Sequence, residues 1–251
     1  MRDFDDSTLW RISAYERMRA ETGHSGFAGL RRSTVLPTTL NAELSQLRRT
    51  GHTDDVLEVV AACMRQRESA LILLQHAGLI WPLTLFPQQL LYHSPRPLTG
   101  GLARGPRDLA VAAIEPPGLR APGDYARDRV GDARHYHPLA PLLWTLALHA
   151  PRADLLEPIT GRAAYRLAPD FEADVRTLSG ALGAALQRLR AEIASLQDIA
   201  RWPGMDAERA ARLLNGVYVQ GGLMLLRRHP AARDAAPSGR RLRDWWRKPG
   251  R

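Results

Sequence analysis

The stretch that most constrains the fold lies near the C-terminus, over residues 193–229. A short helix is predicted over 193–200, and a Pro-Gly turn separates it from a longer helix over 206–220. Asp206 is a good N-cap for the longer helix, and the glycine pair at 221–222 ends it. The apolar residues after that pair predict a β-strand. The predicted order is therefore helix, turn, helix, strand.

This order resembles the small winged-helix modules at the C-terminus of PatA-type bacterial signalling proteins. The resemblance covers residues 193–229 and rests on an x-Leu-x-x-Ile-Ala helix, a turn, an apolar-faced helix and a Gly-Leu strand. The apolar face of the longer helix consists of Ala210, Leu213, Leu214 and Val217. The resemblance implies a regulatory role beside response regulators and motility systems. Residues 1–170 carry no such family resemblance.

A winged helix that binds DNA places the exposed side of its longer helix in the major groove. We expect that side to carry Arg209, Arg212 and Asn215, with the arginines matched to guanine edges and the asparagine to adenine. Asp206 and Glu208 lie at the N-terminal end of the same helix, where carboxylates repel the phosphate backbone. A solvated or protein-docking face is therefore favoured over DNA reading.

The N-terminal part of the chain begins with helical periodicity. Helices are predicted over 7–21 and 39–49, the second closed by Gly51, and Thr53 is the predicted N-cap of a third. In the third helix the apolar residues recur at the spacing of one buried face: Val56, Val59, Val60 and Cys63. Three helices are thus expected before the first long strand.

The period then changes to two, which predicts strands. Residues 70–74 and 79–86 flank a hairpin turn at 76–78, and further strands are predicted over 90–93 and 109–114. Pro82 lacks an N–H donor, so its strand is expected at a sheet edge. Core packing of 79–87 is favoured over docking of a partner strand there. The predicted fold class is α+β: N-terminal helices with an antiparallel meander, followed by a mainly helical, winged-helix-like unit.

The domain organisation follows from these patterns. An α+β domain is predicted over 1–168 with a Pro/Gly-rich loop region at 95–134, a winged-helix-like domain over 169–230, and a basic aromatic tail over 231–251. Three further elements are predicted near the boundary of the first two domains: a buried helix over 139–149 and a strand over 163–167 before it, and a helix over 171–190 after it.

The tail concentrates the positive charge. The formal net charge is +9, and the residues from 233 onward hold seven of the 35 basic residues and two of the 26 acids. The rest of the chain is close to neutral for its size, which argues against a general polyanion binder. The residues predicted to dock the tail are Arg241, Arg243, Trp245, Trp246 and Arg247. They suit a protein groove, single-stranded nucleic acid or peripheral contact with an anionic membrane.

Candidate sites for chemistry are few. His135 and His137, with Asp132 nearby, are the best metal-like cluster, and His93 or His149 would have to supply a third ligand. Structural or surface histidines are favoured over that metal site. Cys63 lies on an apolar helix face and is expected to be a buried, inert thiol. No nucleophile-elbow, phosphate-loop or zinc-protease motif is present, and no cofactor is expected.

Composition sets the expected setting. Of the 35 basic residues, 34 are arginine, a bias typical of GC-rich bacterial genomes. The absence of an apolar run of 18 residues and of a secretory signal predicts a cytoplasmic protein. We expect a non-enzymatic regulatory or adaptor protein that acts through protein–protein contacts, in signalling or motility. The alternatives are a DNA-binding transcription regulator and a metal-dependent enzyme that uses His135 and His137. The oligomeric state stays open.

Overall fold

The structure, a computed structural model, describes residues 9–22, 35–96, 98, 109–123, 129–172 and 178–232. Its helices are α1 (Ile12–Thr22), α2 (Thr38–Thr50), α3 (Val56–Gln66), α4 (Leu139–His149), α5 (Ala181–Ala191), α6 (Leu196–Ala200) and α7 (Ala207–Val219). Its strands are β1 (Trp10–Arg11), β2 (Ala70–His76), β3 (Leu79–Phe86), β4 (Leu91–His93), β5 (Ala110–Glu115), β6 (Tyr136–Pro138), β7 (Ala164–Leu167), β8 (Ala194–Ser195) and β9 (Leu223–Leu226). Among these residues, no helix combines the length and apolarity that crossing a membrane requires.

The strands form two sheets, and within each sheet every pair of neighbouring strands is antiparallel. The larger sheet has the order β5-β2-β3-β4-β6, with β1 added beside β3, and the smaller has the order β8-β7-β9. Helices α1 to α3 precede the β2-β3-β4 meander, and the C-terminal part is mainly helical. The predicted α+β class is confirmed.

The β2–β3 hairpin turns at Ala77 and Gly78, as the sequence predicts. Both residues have positive φ angles, 49° and 77°. A two-residue turn of this backbone matches the twist of the flanking strands. Glycine adopts it without a Cβ penalty, which explains why this residue follows the alanine.

Strand β2 is buried on both faces, which accounts for its unbroken apolar run. Ile72 and Leu74 belong to the main core together with residues of α2 and α3. Leu71 and Leu73 pack on the opposite face with Tyr15 of α1. The sheet is therefore covered by helices on both sides at this strand.

Strand β3 lies inside the larger sheet, so its predicted position at a sheet edge is wrong. The strand pairs with β2 along its length, with β1 at its start and with β4 from Thr84 onward. Pro82 lies between the part of β3 that pairs with β1 and the part that pairs with β4. At this point, among the described residues, β3 has a neighbouring strand on the β2 side only. The missing N–H is tolerated in that gap. Because its neighbours occupy most of both sides, residues 79–87 do not offer a long edge to a partner.

Helix α3 is enclosed by the core. Asp55 caps it, since its Oδ1 accepts hydrogen bonds from the N–H groups of Leu57 and Glu58 at 2.9 and 3.2 Å. The predicted cap, Thr53, is therefore wrong by two residues. All residues of the helix from Val56 to Cys63 are buried, Glu58 among them. A carboxylate in such a place needs partners to offset its lost hydration.

Glu58 finds these partners in the segment between α4 and β7. Arg152 places Nη1 2.5 Å from Asp55 Oδ2 and Nη2 3.1 Å from Glu58 Oε1. The N–H of Glu157 donates to Glu58 Oε1 at 2.8 Å. Burial raises the pKa of Glu58, and the Glu157 N–H and the Arg152 guanidinium act against that rise.

Helix α7 holds the same segment from its other side. Asn215 donates from Nδ2 to the Asp154 carbonyl and accepts at Oδ1 from the Leu156 N–H, both at 2.9 Å. Four side chains thus tie residues 152–157 to α3 and α7, and we name them the polar junction: Asp55, Glu58, Arg152 and Asn215. The polar junction fixes the path of the chain into β7.

Strand β7 is the central strand of the smaller, C-terminal sheet. Tyr165 lies opposite Ala194 of β8 on one side and Leu225 of β9 on the other. One cluster of buried apolar side chains continues from α2 and α3 through α4 to α7. The boundary predicted at 168/169 falls between paired strands, and the division into domains stays a prediction.

The helix predicted over 171–190 begins only at Ala181 within the described residues. Phe171 precedes it in a turn, where its N–H donates to the Ala168 carbonyl at 3.1 Å. The Phe171 ring occupies the space that a Cβ on Gly222 would need. The second glycine after α7 is therefore required by a close approach as well as by the helix end.

The crossing of α4 and α7 predicts that Gly216→Ala destabilises the protein. A Cβ at Gly216 would overlap the Trp144 ring and would lie 3.3 Å from the Ala147 Cβ. Overpacking a core costs about 1–3 kcal/mol, while alanine gains roughly 1 kcal/mol over glycine within a helix. We expect a net loss in the free energy of unfolding, measured by urea denaturation.

The double variant Gly216→Ala/Trp144→Leu provides the control for this contact. Because leucine vacates the space of the indole ring, the double variant should lose less stability than the two single variants added together. Additive losses would contradict a direct contact between the two positions.

Candidate functional site

The C-terminal part of the chain places its helices by local capping. Ser195 and Asp198 form a capping box at α6, in which each side chain accepts the backbone N–H of the other, at 3.2 and 3.1 Å. Asp206 caps α7, since its Oδ1 accepts the Arg209 N–H at 2.8 Å. The predicted cap and the predicted apolar face of this helix are both confirmed.

Helix α7 is enclosed beyond its first turn. Residues 207–209 are exposed, and none of residues 210–220 is. Helices α4 and α6 pack against it, and α3 and α5 make further contacts. A helix that reads the major groove must present its side chains to the DNA along one face. The surface that α7 presents is its N-terminal end, where Glu208 lies.

Arg212 is held by the end of α4. Its Nη1 donates to the carbonyls of Leu148 and Ala150 at 2.8 and 2.9 Å, and its Nε donates to Glu208 at 2.9 Å. The last carbonyls of a helix have no partner within the helix. Arg212 supplies one, so its guanidinium closes α4 and is not directed toward a DNA base.

Asn215 is fully buried, so its predicted place on the exposed side of the helix is wrong. The periodicity correctly sets it apart from the apolar face. That polar side is covered by the segment that follows α4. Both ends of the Asn215 side-chain amide form hydrogen bonds with this segment. Which segment covers a polar helix side is a tertiary property that the sequence of the helix does not reveal.

Arg209 is the predicted contact residue of α7 that lies at the surface. Nη1 of its guanidinium donates to the carbonyl of Gly204 at 2.6 Å, in the turn between α6 and α7. The tail residues predicted to dock a partner lie outside the described residues: Arg241, Arg243, Trp245, Trp246 and Arg247.

Strand β9 forms an edge of the smaller sheet within the described part of the chain. The Ala168 N–H donates to the Gly222 carbonyl at 2.8 Å. In an antiparallel ladder, this bond directs the backbone groups of Met224 toward β7 and those of Leu223 and Leu225 away from it. The sequence predicts the strand, but the edge follows from its pairing with β7.

The two faces of β9 differ. Leu223 and Leu225 pack against the main core. Met224 points to the opposite face, is 42% exposed and lies opposite Arg166 of β7. An exposed apolar side chain beside an exposed arginine is a surface suited to a partner that offers both apolar and acidic groups.

The surroundings of β7 and β9 are basic. Residues 160–168 and 221–232 contain four arginines and no acid: Arg162, Arg166, Arg227 and Arg228. Arg227 donates to the carbonyls of Thr160 and Pro158 at 3.0 and 3.1 Å, which ties the end of β9 to the start of β7. Arg166 and Arg228 are exposed, and neither forms an ion pair with the part of the chain that the structure describes.

Three histidines lie where β4 pairs with β6. The His93 ring lies edge-on to the His135 ring at 5.6 Å and to Tyr136 at 4.9 Å. The His137 ring lies 5.1 Å from Tyr92, on the opposite face of the strand pair from His93. His135 ends a 3-10 turn and His137 lies in β6. Over the described ranges, no group of three or more His, Cys, Asp or Glu side chains is arranged to hold a metal ion.

The environment keeps His93 neutral. Burial lowers its pKa to about 4, with His135 and His137 adding to the effect and Asp132 opposing it. Burial also lowers the pKa of His137. Gly131 makes room for this arrangement, because a Cβ there would lie 3.0 Å from His93 Nε2.

The predicted inert thiol is confirmed as a buried one. Cys63 is fully buried in α3, and burial raises its pKa to about 12. A thiol in this state is a poor nucleophile because little thiolate forms near neutral pH.

The polar junction predicts that Asn215→Ala is strongly destabilising. The change leaves the buried Leu156 N–H without its partner, and a buried unsatisfied group costs about 1–3 kcal/mol. The Asp154 carbonyl loses one of two donors and keeps the bond from Arg152 Nε at 3.0 Å. We expect a loss of about 1–3 kcal/mol in the free energy of unfolding, measured by urea denaturation. Asn41→Ala, at an exposed position of α2, is the matched control and should change stability by less than about 0.5 kcal/mol. Equal effects in the two variants would contradict the assigned role of Asn215.

The histidine cluster predicts a loss of stability in acid. The folded protein holds His93 neutral, whereas the unfolded chain protonates it near pH 6.5, so stability falls as the pH drops from about 6.5 to about 4. His93→Gln removes this group and should flatten that part of the stability profile, measured by urea unfolding at a series of pH values. His149→Gln, at an exposed position of α4, should leave the profile unchanged. A profile of unchanged slope in His93→Gln would contradict the assignment.

No protein family, curated protein or solved structure matches this chain in the comparisons made with each. The resemblance of residues 193–229 to the PatA-type module therefore stays a prediction. The enclosed helix α7 and the basic edge at β9 are the features on which a function can be argued.

Proposed function

We propose that this protein is a non-enzymatic regulatory or adaptor protein that acts through protein–protein contacts, in bacterial signalling or motility. The observation that carries this proposal is the enclosure of α7. A helix without an exposed side beyond its first turn is poorly placed to enter the major groove of DNA. Of the three residues expected to contact DNA, Asn215 and Arg212 are committed to bonds within the protein.

In this proposal the C-terminal part is a winged-helix-like unit that binds protein instead of DNA. Its support is the order of α5, β8, α6, α7 and β9, together with the capping box of α6 and the capping of α7 by the expected Asp206. Strand β7 completes the small sheet from the N-terminal side of the unit. The basic aromatic tail provides a second docking element, for a protein groove or an anionic surface.

Fluorescence anisotropy with a labelled DNA duplex across a salt series tests the proposal against DNA reading. The full chain is compared with a chain that ends at Pro237 and with Arg209→Ala. We expect any duplex binding to be strongly salt-dependent and to vanish with the tail, because the tail carries the concentrated charge. Arg209→Ala should leave affinity unchanged.

The opposite result supports the DNA-binding alternative. Tight duplex binding that survives truncation at Pro237 and falls at least tenfold in Arg209→Ala would place recognition at the start of α7. Arg212→Ala is the internal control, since it removes the cap of α4 and should lower stability without changing the affinity of the folded fraction.

A further inference from the structure

We propose that strand β9 binds an extended, acidic segment of a partner protein, which joins the β8-β7-β9 sheet as a fourth strand. This inference rests on the proposed function, because it names the site at which the adaptor holds its partner and the chemistry of that partner.

The backbone of β9 provides the first part of the site. Leu223 and Leu225 direct their N–H and C=O groups away from β7, as the Ala168–Gly222 hydrogen bond requires. A strand edge of this kind is a template for another chain, and main-chain hydrogen bonds supply much of the affinity in such complexes. Strand β8, at the other end of the sheet, is two residues long and contacts the turn Pro230–Ala232. The longer edge of this sheet is therefore β9.

The side chains of β9 set a pattern for the added strand. Successive residues of a strand point to opposite faces, so every second residue of the partner would lie on the face of Met224. The exposed Met224 thioether is flexible and polarisable, and it adapts to different apolar side chains. The opposite face continues the layer formed by Leu223 and Leu225. An alternating segment with apolar residues on one face fits this edge.

The charge of the site selects an acidic partner. Arg166 lies on the outer face opposite Met224, and Arg228 follows the end of β9 by two residues. Neither has an ion-pair partner within the described ranges, and no acid occurs in 160–168 or 221–232. Like charges would oppose a basic segment, whereas carboxylates would gain ion pairs with both arginines. These same arginines discourage β9 from pairing with a second copy of itself.

Peptide selection on the full-length chain tests this site. A random peptide library displayed on phage is selected against the protein, and the enriched peptides are synthesised with a fluorescent label for anisotropy. We expect them to carry net negative charge and to lose binding when alternate backbone amides are N-methylated, because strand addition uses those N–H groups.

Two variants separate the backbone and charge contributions. Leu225→Pro removes an outward N–H but keeps the ladder to β7, since proline is tolerated on an edge where its N–H would face solvent. The double variant Arg166→Glu/Arg228→Glu reverses the charge without altering the backbone. We expect each to weaken peptide binding about tenfold or more. Arg17→Glu, at an exposed position of α1, is the matched control and should bind normally.

Each outcome decides a different point. Acidic peptides that bind Leu225→Pro and the double variant as tightly as the original chain overturn the β9 site but leave the proposed function standing. Enrichment of basic or uncharged peptides overturns the acidic partner. A library that yields no binder counts against both the inference and the proposed function. Urea unfolding of Leu225→Pro checks its fold, and if it does not fold, the charge variant and the N-methylated peptides decide.

Discussion

The segment between α4 and β7 has to pass between two helices, and its backbone needs hydrogen-bond partners there. The polar junction meets that constraint. Asn215 of α7 bonds a carbonyl and an N–H of the segment, while Glu58 of α3 bonds another N–H and the guanidinium of Arg152. These bonds offset much of the cost of burying the Asn215 amide and Glu58 Oε1, whereas Glu58 Oε2 is buried without a hydrogen-bond partner among the described residues. The positions of α3, α7 and the entrance to β7 depend on this one set of bonds.

The same constraint determines which surfaces remain for binding. In an exposed helix, the polar side chains of α7 would face a ligand. Here they hold the 148–157 region: Arg212 bonds the end of α4, and Asn215 bonds the segment that follows it. What the C-terminal part leaves open is the edge of its sheet, with an exposed methionine and arginines around it. In the proposed function, stability and recognition therefore rest on different elements of one small unit.

Features that depend on neighbours in sequence could be predicted, and features that depend on distant segments could not. Gly51, Asp206 and the Ala77–Gly78 turn act within a few residues, and the structure places each as expected. The interior position of β3 was missed because a proline can occupy a gap between two partner strands. Asn215 was misplaced because periodicity separates polar from apolar sides but does not show what covers the polar one. The sequence offers His93 only as one of two possible neighbours of His135, because the approach of the two rings depends on the register of β4 and β6.

The central position of β7 has a consequence for how the protein is made. Tyr165 acquires its partner on β8 only after α5 has been synthesised, and its partner on β9 only after α6 and α7. Until β9 leaves the ribosome, β7 therefore keeps at least one open side, and unpaired strand edges are prone to wrong pairing. Because these contacts are far apart in sequence, closing the small sheet is a slow step compared with forming the helices. The open side of β7 is therefore an aggregation hazard that lasts in the nascent chain until β9 is complete.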